Sequence, residues 1–136
     1  MMRAWLLAVT VFSAGMISGC CSMCPKGGAC TAPPEGSIRH VVLFKWKDGT
    51  PPETVKAIED SFRALPSKVD GISGFEWGTD VSPEKLSQGF THCFLVTFPD
   101  EAARDAYLPH PEHKAFVDLM KPHLDKVLVV DYVARD

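Results

Sequence analysis

Short runs rich in Val, Leu, Ile and Phe alternate along residues 38–133 with segments whose apolar residues recur every three or four positions. Side chains of an extended chain point alternately to its two sides, so each run divides into two faces. In residues 38–46 (IRHVVLFKW), Val41 and Leu43 share one face, and His40, Val42, Phe44 and Trp46 share the other. Asp48-Gly49-Thr50 ends the run. Thr50, then Pro51, then Glu53 at the third position on, reads as a helix start with a capping box. Val55, Ile58, Phe62 and Leu65 follow as one apolar stripe on a helix of about four turns, with Pro66 at or just past its end. Residues 71–77 (GISGFEW) predict a short second strand, followed by Gly78 and a polar loop that contains Pro83. Residues 91–98 (THCFLVTF) predict a third strand, with His92, Phe94, Val96 and Phe98 on one face and Cys93 and Leu95 on the other.

Asp100 is a plausible N-cap for a helix carrying Ala102, Ala103, Ala106 and Tyr107. Pro109 breaks that helix, and another starts near Pro111 with Phe116, Leu119 and Met120. Pro122 kinks or ends it. Residues 126–133 (KVLVVDYV) predict the last strand, with Leu128, Val130 and Tyr132 opposite Val127 and Val129. The order β-α-β-β-α-α-β fits an α+β, ferredoxin-like arrangement with helices on one face of an antiparallel sheet. Strands one, three and four are apolar on both faces, and helices can cover only one of them. The second face must meet something. A second copy of the same sheet is the simplest partner, because most soluble oligomers are symmetric homodimers.

The first residues tell of export. Met1, Met2 and Arg3 precede residues 4–19 (AWLLAVTVFSAGMISG), which carry no charge. The stretch is short for a membrane span and suits a signal peptide. It ends in Ile17-Ser18-Gly19-Cys20, which resembles the lipobox of bacterial lipoproteins. Cys20 would then be the first mature residue and the lipid carrier. The expected organisation is a signal at 1–19, a lipidated cysteine and tether at 20–37, and one domain at 38–136. The expected location is the bacterial cell envelope, with the domain facing the periplasm or exterior. Cys21 follows Cys20 where an Asp does not, which resembles the signal for the outer membrane in a cell with two membranes. The tether (CSMCPKGGACTAPPEGS, residues 21–37) has no apolar periodicity and reads as a spacer. Cys21, Cys24 and Cys30 lack a fourth metal ligand at the usual spacing, and an oxidising compartment favours a disulfide among them.

Charge narrows the partners. The chain has 14 basic and 17 acidic residues. Without Arg3 the mature chain has 13 basic against 17 acidic residues, a net charge of −4. No basic stripe is present, so nucleic acid is not an expected partner. Cys93, inside an apolar run, reads as a small buried hydrophobe.

The candidate chemistry lies in histidines and one tyrosine. His40 and His92 share the alternation of Phe44 and Phe94, which points them into the barrel rather than at the helices. Tyr107 and His113 bracket the turn broken by Pro109 and Pro111. A buried tyrosine hydroxyl needs a partner, and histidine is one. The plainer alternative makes all of these fold determinants. His110 and His113 are three apart at a helix start, but no carboxylate or thiol joins them by spacing, and neither a metal nor another cofactor is expected.

Residues 38–134 resemble the stress-responsive dimeric α/β-barrel family. The resemblance rests on Ile38-Arg39-His40-Val41-Val42-Leu43-Phe44-Lys45, Trp77-Gly78-Thr79-Asp80-Val81, Gly89-Phe90-Thr91-His92, Tyr107-Leu108-Pro109-His110-Pro111-Glu112-His113 and Val129-Val130-Asp131-Tyr132. It implies a homodimer whose two four-stranded sheets form one barrel. One enzyme branch, a plant polyketide cyclase, closes a poly-β-keto chain by aldol condensation. Its catalytic tyrosine and histidine match Tyr107 and His113, and its other pocket histidines match His40 and His92. The resemblance thus implies that His113 removes an α-proton while Tyr107 or His40 steadies the enolate oxygen. Three functions follow as expectations. The leading one is binding of a small hydrophobic or carbonyl-containing molecule by His40, His92 and His110 beside Tyr107 and His113. The others are a cofactor-independent acid/base enzyme and a non-catalytic, stress-associated structural protein.

Overall fold

The computed structural model describes residues 35–135. The signal segment, the lipidation site Cys20 and the tether cysteines Cys21, Cys24 and Cys30 lie outside the described residues. Four strands and three helices follow in the order read from the sequence. They are β1 (Ile38–Trp46), α1 (Pro52–Ala64), β2 (Gly74–Thr79), β3 (His92–Phe98), α2 (Glu101–Tyr107), α3 (Pro111–Met120) and β4 (Leu124–Val133). Pro66 and Pro122 each sit in a single tight turn, Leu65–Ser67 and Lys121–His123, that closes the preceding helix. The four strands form one sheet in the order β2-β3-β1-β4, and all neighbours are antiparallel. This is the ferredoxin-like α+β fold.

Two local readings change. Thr50 is not a helix cap. Its hydroxyl donates to the Lys47 carbonyl at 2.8 Å, and Pro51 takes the cap position without a side-chain bond. Two successive prolines set the entry angle, so the capping box is not formed. Strand β2 starts three residues later than expected, at Gly74. Gly71 occupies a left-handed turn at φ 94°, which delays the ladder, while Gly78 and Thr79 extend it by pairing with Cys93 and His92. Asp100 does cap α2, accepting from the Ala103 amide at 2.8 Å.

The core lies between the sheet and the helices, and aromatic rings fill it. Phe62 on α1 meets Phe94 on β3 at 4.5 Å between ring centroids and Phe116 on α3 at 4.4 Å. Phe44 on β1 joins them, 5.2 Å from Phe94. Ring packing of this kind adds to area burial. It also corrects the facing of the sheet. The His40, Val42, Phe44 row and the His92, Phe94, Val96 row point at the helices, not away from them. The bulkier row goes where a second layer of rings can meet it.

The opposite face carries Val41 and Leu43 of β1, Leu95 and Cys93 of β3, and Leu128, Val130 and Tyr132 of β4, aligned across the sheet by register. Val41, Leu43 and Leu95 are half-buried, and Leu128, Val130 and Tyr132 are exposed. Cys93 is also exposed on this face of the single chain, which corrects the expectation of a buried thiol. Its neighbours are apolar, but no helix covers them.

Phe62 contacts rings on all sides, so Phe62→Ala is expected to lower unfolding free energy by about 3–5 kcal/mol. Val81→Ala, at a position 90% exposed, is expected to stay within about 0.5 kcal/mol of the parent. Urea denaturation followed by tryptophan fluorescence measures both.

Candidate functional site

Helix α2 ends at Tyr107 and α3 begins at Pro111. The chain must turn in three residues, and Pro109 and Pro111 forbid a continuous helix. His110 caps α3, its Nδ1 accepting from the Glu112 amide at 3.2 Å. That turn brings Tyr107 and His113 together, with ring centroids 4.3 Å apart. Both line a cleft of about 230 Å³ between α2, α3 and the β1–β4 side of the sheet. His40, Val42, Val127, Val129 and Met120 contribute to its walls. The cleft is apolar apart from His40, Tyr107 and His113.

Each polar group in it has a distinct state. The His113 Nδ1–H donates to the Leu108 carbonyl at 2.9 Å. In the neutral ring this leaves Nε2 as an acceptor. Burial disfavours the imidazolium of His113, and nearby His40 and His110 add to this, so its pKa lies below 6.5 although the Leu108 carbonyl pulls the other way. Tyr107 is 1% exposed. Its hydroxyl is buried with no hydrogen-bond partner among the described residues. Burial raises its pKa far above the ordinary 10.0, so it stays protonated and remains a donor.

His40 is held from behind. Its Nδ1 donates to Asp131 on β4 at 2.6 Å, and the other Asp131 oxygen accepts from Arg104 on α2 at 2.6 Å. Burial works against the Asp131 carboxylate, but Arg104 and His40 outweigh it and lower its pKa. A carboxylate on one imidazole nitrogen fixes the ring and its tautomer. Sequence reading missed Asp131 and Arg104 as site residues. The register signal was present, since Asp131 is the one charged residue among the apolar positions 127–133 and pairs directly with His40.

The structure does not bring His92 or His110 to this cleft. His92 lies at the far end of β3. Its Nδ1 accepts from Trp46 Nε1 at 3.0 Å and from the Thr91 hydroxyl at 2.8 Å, and its Nε2 donates to Glu59 at 2.9 Å. A ring with both nitrogens engaged inside the fold has no hydrogen bond left for a ligand. His110 has its Nδ1 committed to the helix cap. Among the described residues, no three His, Cys, Asp or Glu side chains converge as for a metal.

Residues 38–134 match the family model described as the stress responsive A/B barrel domain. The chain belongs to this family. Among its relatives, the stress-response A/B barrel domain-containing protein HS1 of Arabidopsis thaliana is 40% identical over 98 residues, covering 72% of this chain and 90% of the relative. Olivetolic acid cyclase of Cannabis sativa is 26% identical over 99 residues, covering 73% and 98%. Two solved structures superpose on it over most of its length. The hydroxynitrile lyase of Passiflora edulis superposes with a TM-score of 0.71 at 25% identity, covering 76% of this chain and 97% of that one. A dimeric protein of unknown function and ferredoxin-like fold from Bacteroides fragilis superposes with a TM-score of 0.61 at 28% identity, covering 74% and 98%. The matched region spans 90% to 98% of these relatives' own lengths, so a domain of this extent is nearly the whole protein in them.

The His113 environment has a consequence for stability. Because its folded pKa lies below the unfolded value of 6.5, the unfolded chain binds a proton in the window between the two values that the native chain does not. Its contribution is present above 6.5 and is lost as pH falls through the folded value. The urea midpoint is therefore expected to drop between pH 7 and pH 5, and His113→Gln is expected to make that drop shallower. An unchanged slope in the variant counts against this account.

Proposed function

We propose that this protein binds a compact, mostly apolar carbonyl compound in the cleft and exchanges a proton with it, without a cofactor. One observation carries the reading: a buried, partnerless Tyr107 hydroxyl sits beside a His113 whose Nε2 is free to accept. A protein interior normally pairs such a hydroxyl, because leaving it unpaired costs about 1–3 kcal/mol. A ligand oxygen would pair it. The cleft falls just short of the ~300–1,000 Å³ typical of drug-sized ligands, so it suits a small molecule. Tyr107 Oη–H donates to the carbonyl oxygen, His113 Nε2 takes the proton from the α-carbon, and the electron pair moves onto the oxygen that Tyr107 steadies. His40, fixed by Asp131, is a second polar group at the same cleft. Two relatives are named for reactions that make or break covalent bonds, a cyclase and a lyase, which favours an enzyme over a binder alone.

The same proposal extends to assembly and place. The chain forms a homodimer, a reading supported by the dimeric Bacteroides fragilis relative. It is anchored to the bacterial envelope by lipid on Cys20, on the strength of Ile17-Ser18-Gly19-Cys20. Lipid chains contribute roughly 0.8 kcal/mol of membrane affinity per buried CH₂.

Tyr107→Phe separates function from structure. The hydroxyl has no protein partner to lose, so the variant is expected to be as stable as the parent or up to about 1 kcal/mol more stable. It is also expected to lose binding of any ketone found by thermal-shift screening of the parent. A stability loss of several kcal/mol, with ketone binding intact, would reject the site.

For the anchor, metabolic labelling with a fatty-acid analogue in a bacterial host is expected to mark the parent chain and not Cys20→Ser. An unlabelled parent would reject it.

A further inference from the structure

Strand β4 is a sheet edge, and between Lys126 and Asp131 both of its rows are apolar and exposed. Val127 and Val129 on the helix side are 49% and 51% exposed, and Leu128, Val130 and Tyr132 on the other side are 44%, 46% and 48% exposed. An exposed apolar stretch on a sheet edge is a ready template for another chain unless it is covered. The helix-side row is a wall of the cleft. The other row continues the uncovered sheet face.

That uncovered face is complementary to itself. At the opposite edge, β2 presents Gly74, Glu76 and Gly78 on the same side, as their pairing with Thr97, Leu95 and Cys93 fixes. Gly78, with open space where a side chain would stand, borders a depression of about 250 Å³ lined also by Glu76, Trp77, Cys93 and Leu95. Strand β4 presents bulk in that place: Leu128, Val130 and Tyr132, with Lys126 at the end. A notch with a carboxylate at one edge and a ridge with an ammonium at the other suit two copies related by a two-fold axis.

The cleft and this ridge meet at one residue. Asp131 lies between Val130 and Tyr132 of the ridge, and its side chain holds His40 and, through Arg104, helix α2. A shift of the ridge therefore moves the group that sets His40 and ties α2, with Tyr107 at its end, to the sheet. We propose that β4 is shared by the cleft and the interface with a second copy, so that dimerisation orders the cleft. This rests on the cleft being the ligand site proposed above. Linkage then works both ways: a cleft ligand tightens the dimer by the factor by which the dimer tightens the ligand.

The test uses the domain, residues 31–136, and the variant Leu128→Asp, which alters the ridge and does not touch the cleft. Sedimentation gives the assembly state, hydrogen exchange is read by segment, and acetophenone serves as the ligand probe. A dimeric parent is expected, with Leu128→Asp monomeric. On dissociation, by the variant or by dilution of the parent, exchange is expected to rise about tenfold in residues 104–116 as well as in β4. Acetophenone affinity is expected to fall by a similar factor. A monomer in which residues 104–116 exchange as in the dimer overturns the linkage, and so does a variant that remains dimeric. If Leu128→Asp does not fold, the dilution series of the parent decides. Acetophenone bound by neither form counts against the ligand reading, while the exchange data still decide the linkage.

Discussion

Three helices cover one side of a sheet that is apolar on both. Most of the molecule follows from that shortage. On the covered side α1 and α3 bring Phe62 and Phe116 down onto Phe44 and Phe94, and the rings consume the helices' apolar surface over β1 and β3. Nothing is left to lie fully over β4. Val127 and Val129 therefore stay half in solvent, and the gap between them and α3 is the cleft. The cavity is where the covering layer ends, so its position is set by the same packing that stabilises the fold.

Within this frame the polar side chains sort by whether the fold satisfies them. His92 is nearly buried and fully engaged by Trp46, Thr91 and Glu59. His40 is engaged on one nitrogen by Asp131, and His113 on one by the Leu108 carbonyl. Two buried side-chain polar atoms among the described residues have no partner, Ser37 Oγ and Tyr107 Oη, and Tyr107 is the one that lines the cleft. Buried polar groups are costly when unpaired. His92 is explained by the fold it supports, whereas the idle Tyr107 hydroxyl is the group that the proposed ligand would pair.

Much of this was legible in the sequence, for reasons that are local. The element order came from periodicity, the Asp100 cap from its place before a helix, and the meeting of Tyr107 with His113 from two prolines that force a turn. What was not legible depends on the third dimension. Alternation divides β1 into two rows but does not say which row meets the helices, since both are apolar; ring-on-ring packing decides it, and it sends His40 and His92 to the helix side. Nor does a shared row imply a shared site. His40 and His92 lie at opposite ends of the antiparallel β1–β3 pair, His40 opposite Val96 and His92 opposite Phe44, so one reaches the cleft and the other meets α1. The role of Asp131 needed the β1–β4 register. From its sequence neighbours it is only a charge that interrupts an apolar strand.

That interruption is informative once register is known. A carboxylate in the middle of an edge strand blunts its tendency to pair with stray strands, but a charge placed for that purpose alone would point to solvent. Asp131 instead turns inward to an imidazole and reaches a guanidinium on α2, at the one place where the covering layer is thin. The ionic bridge thus closes the sheet to α2 where apolar packing does not. Under the proposed tether through Cys20, confinement to a membrane plane would raise the effective concentration of one copy near another. A domain whose cleft wall is also its interface would then be most ordered where its copies are most crowded, at the envelope surface.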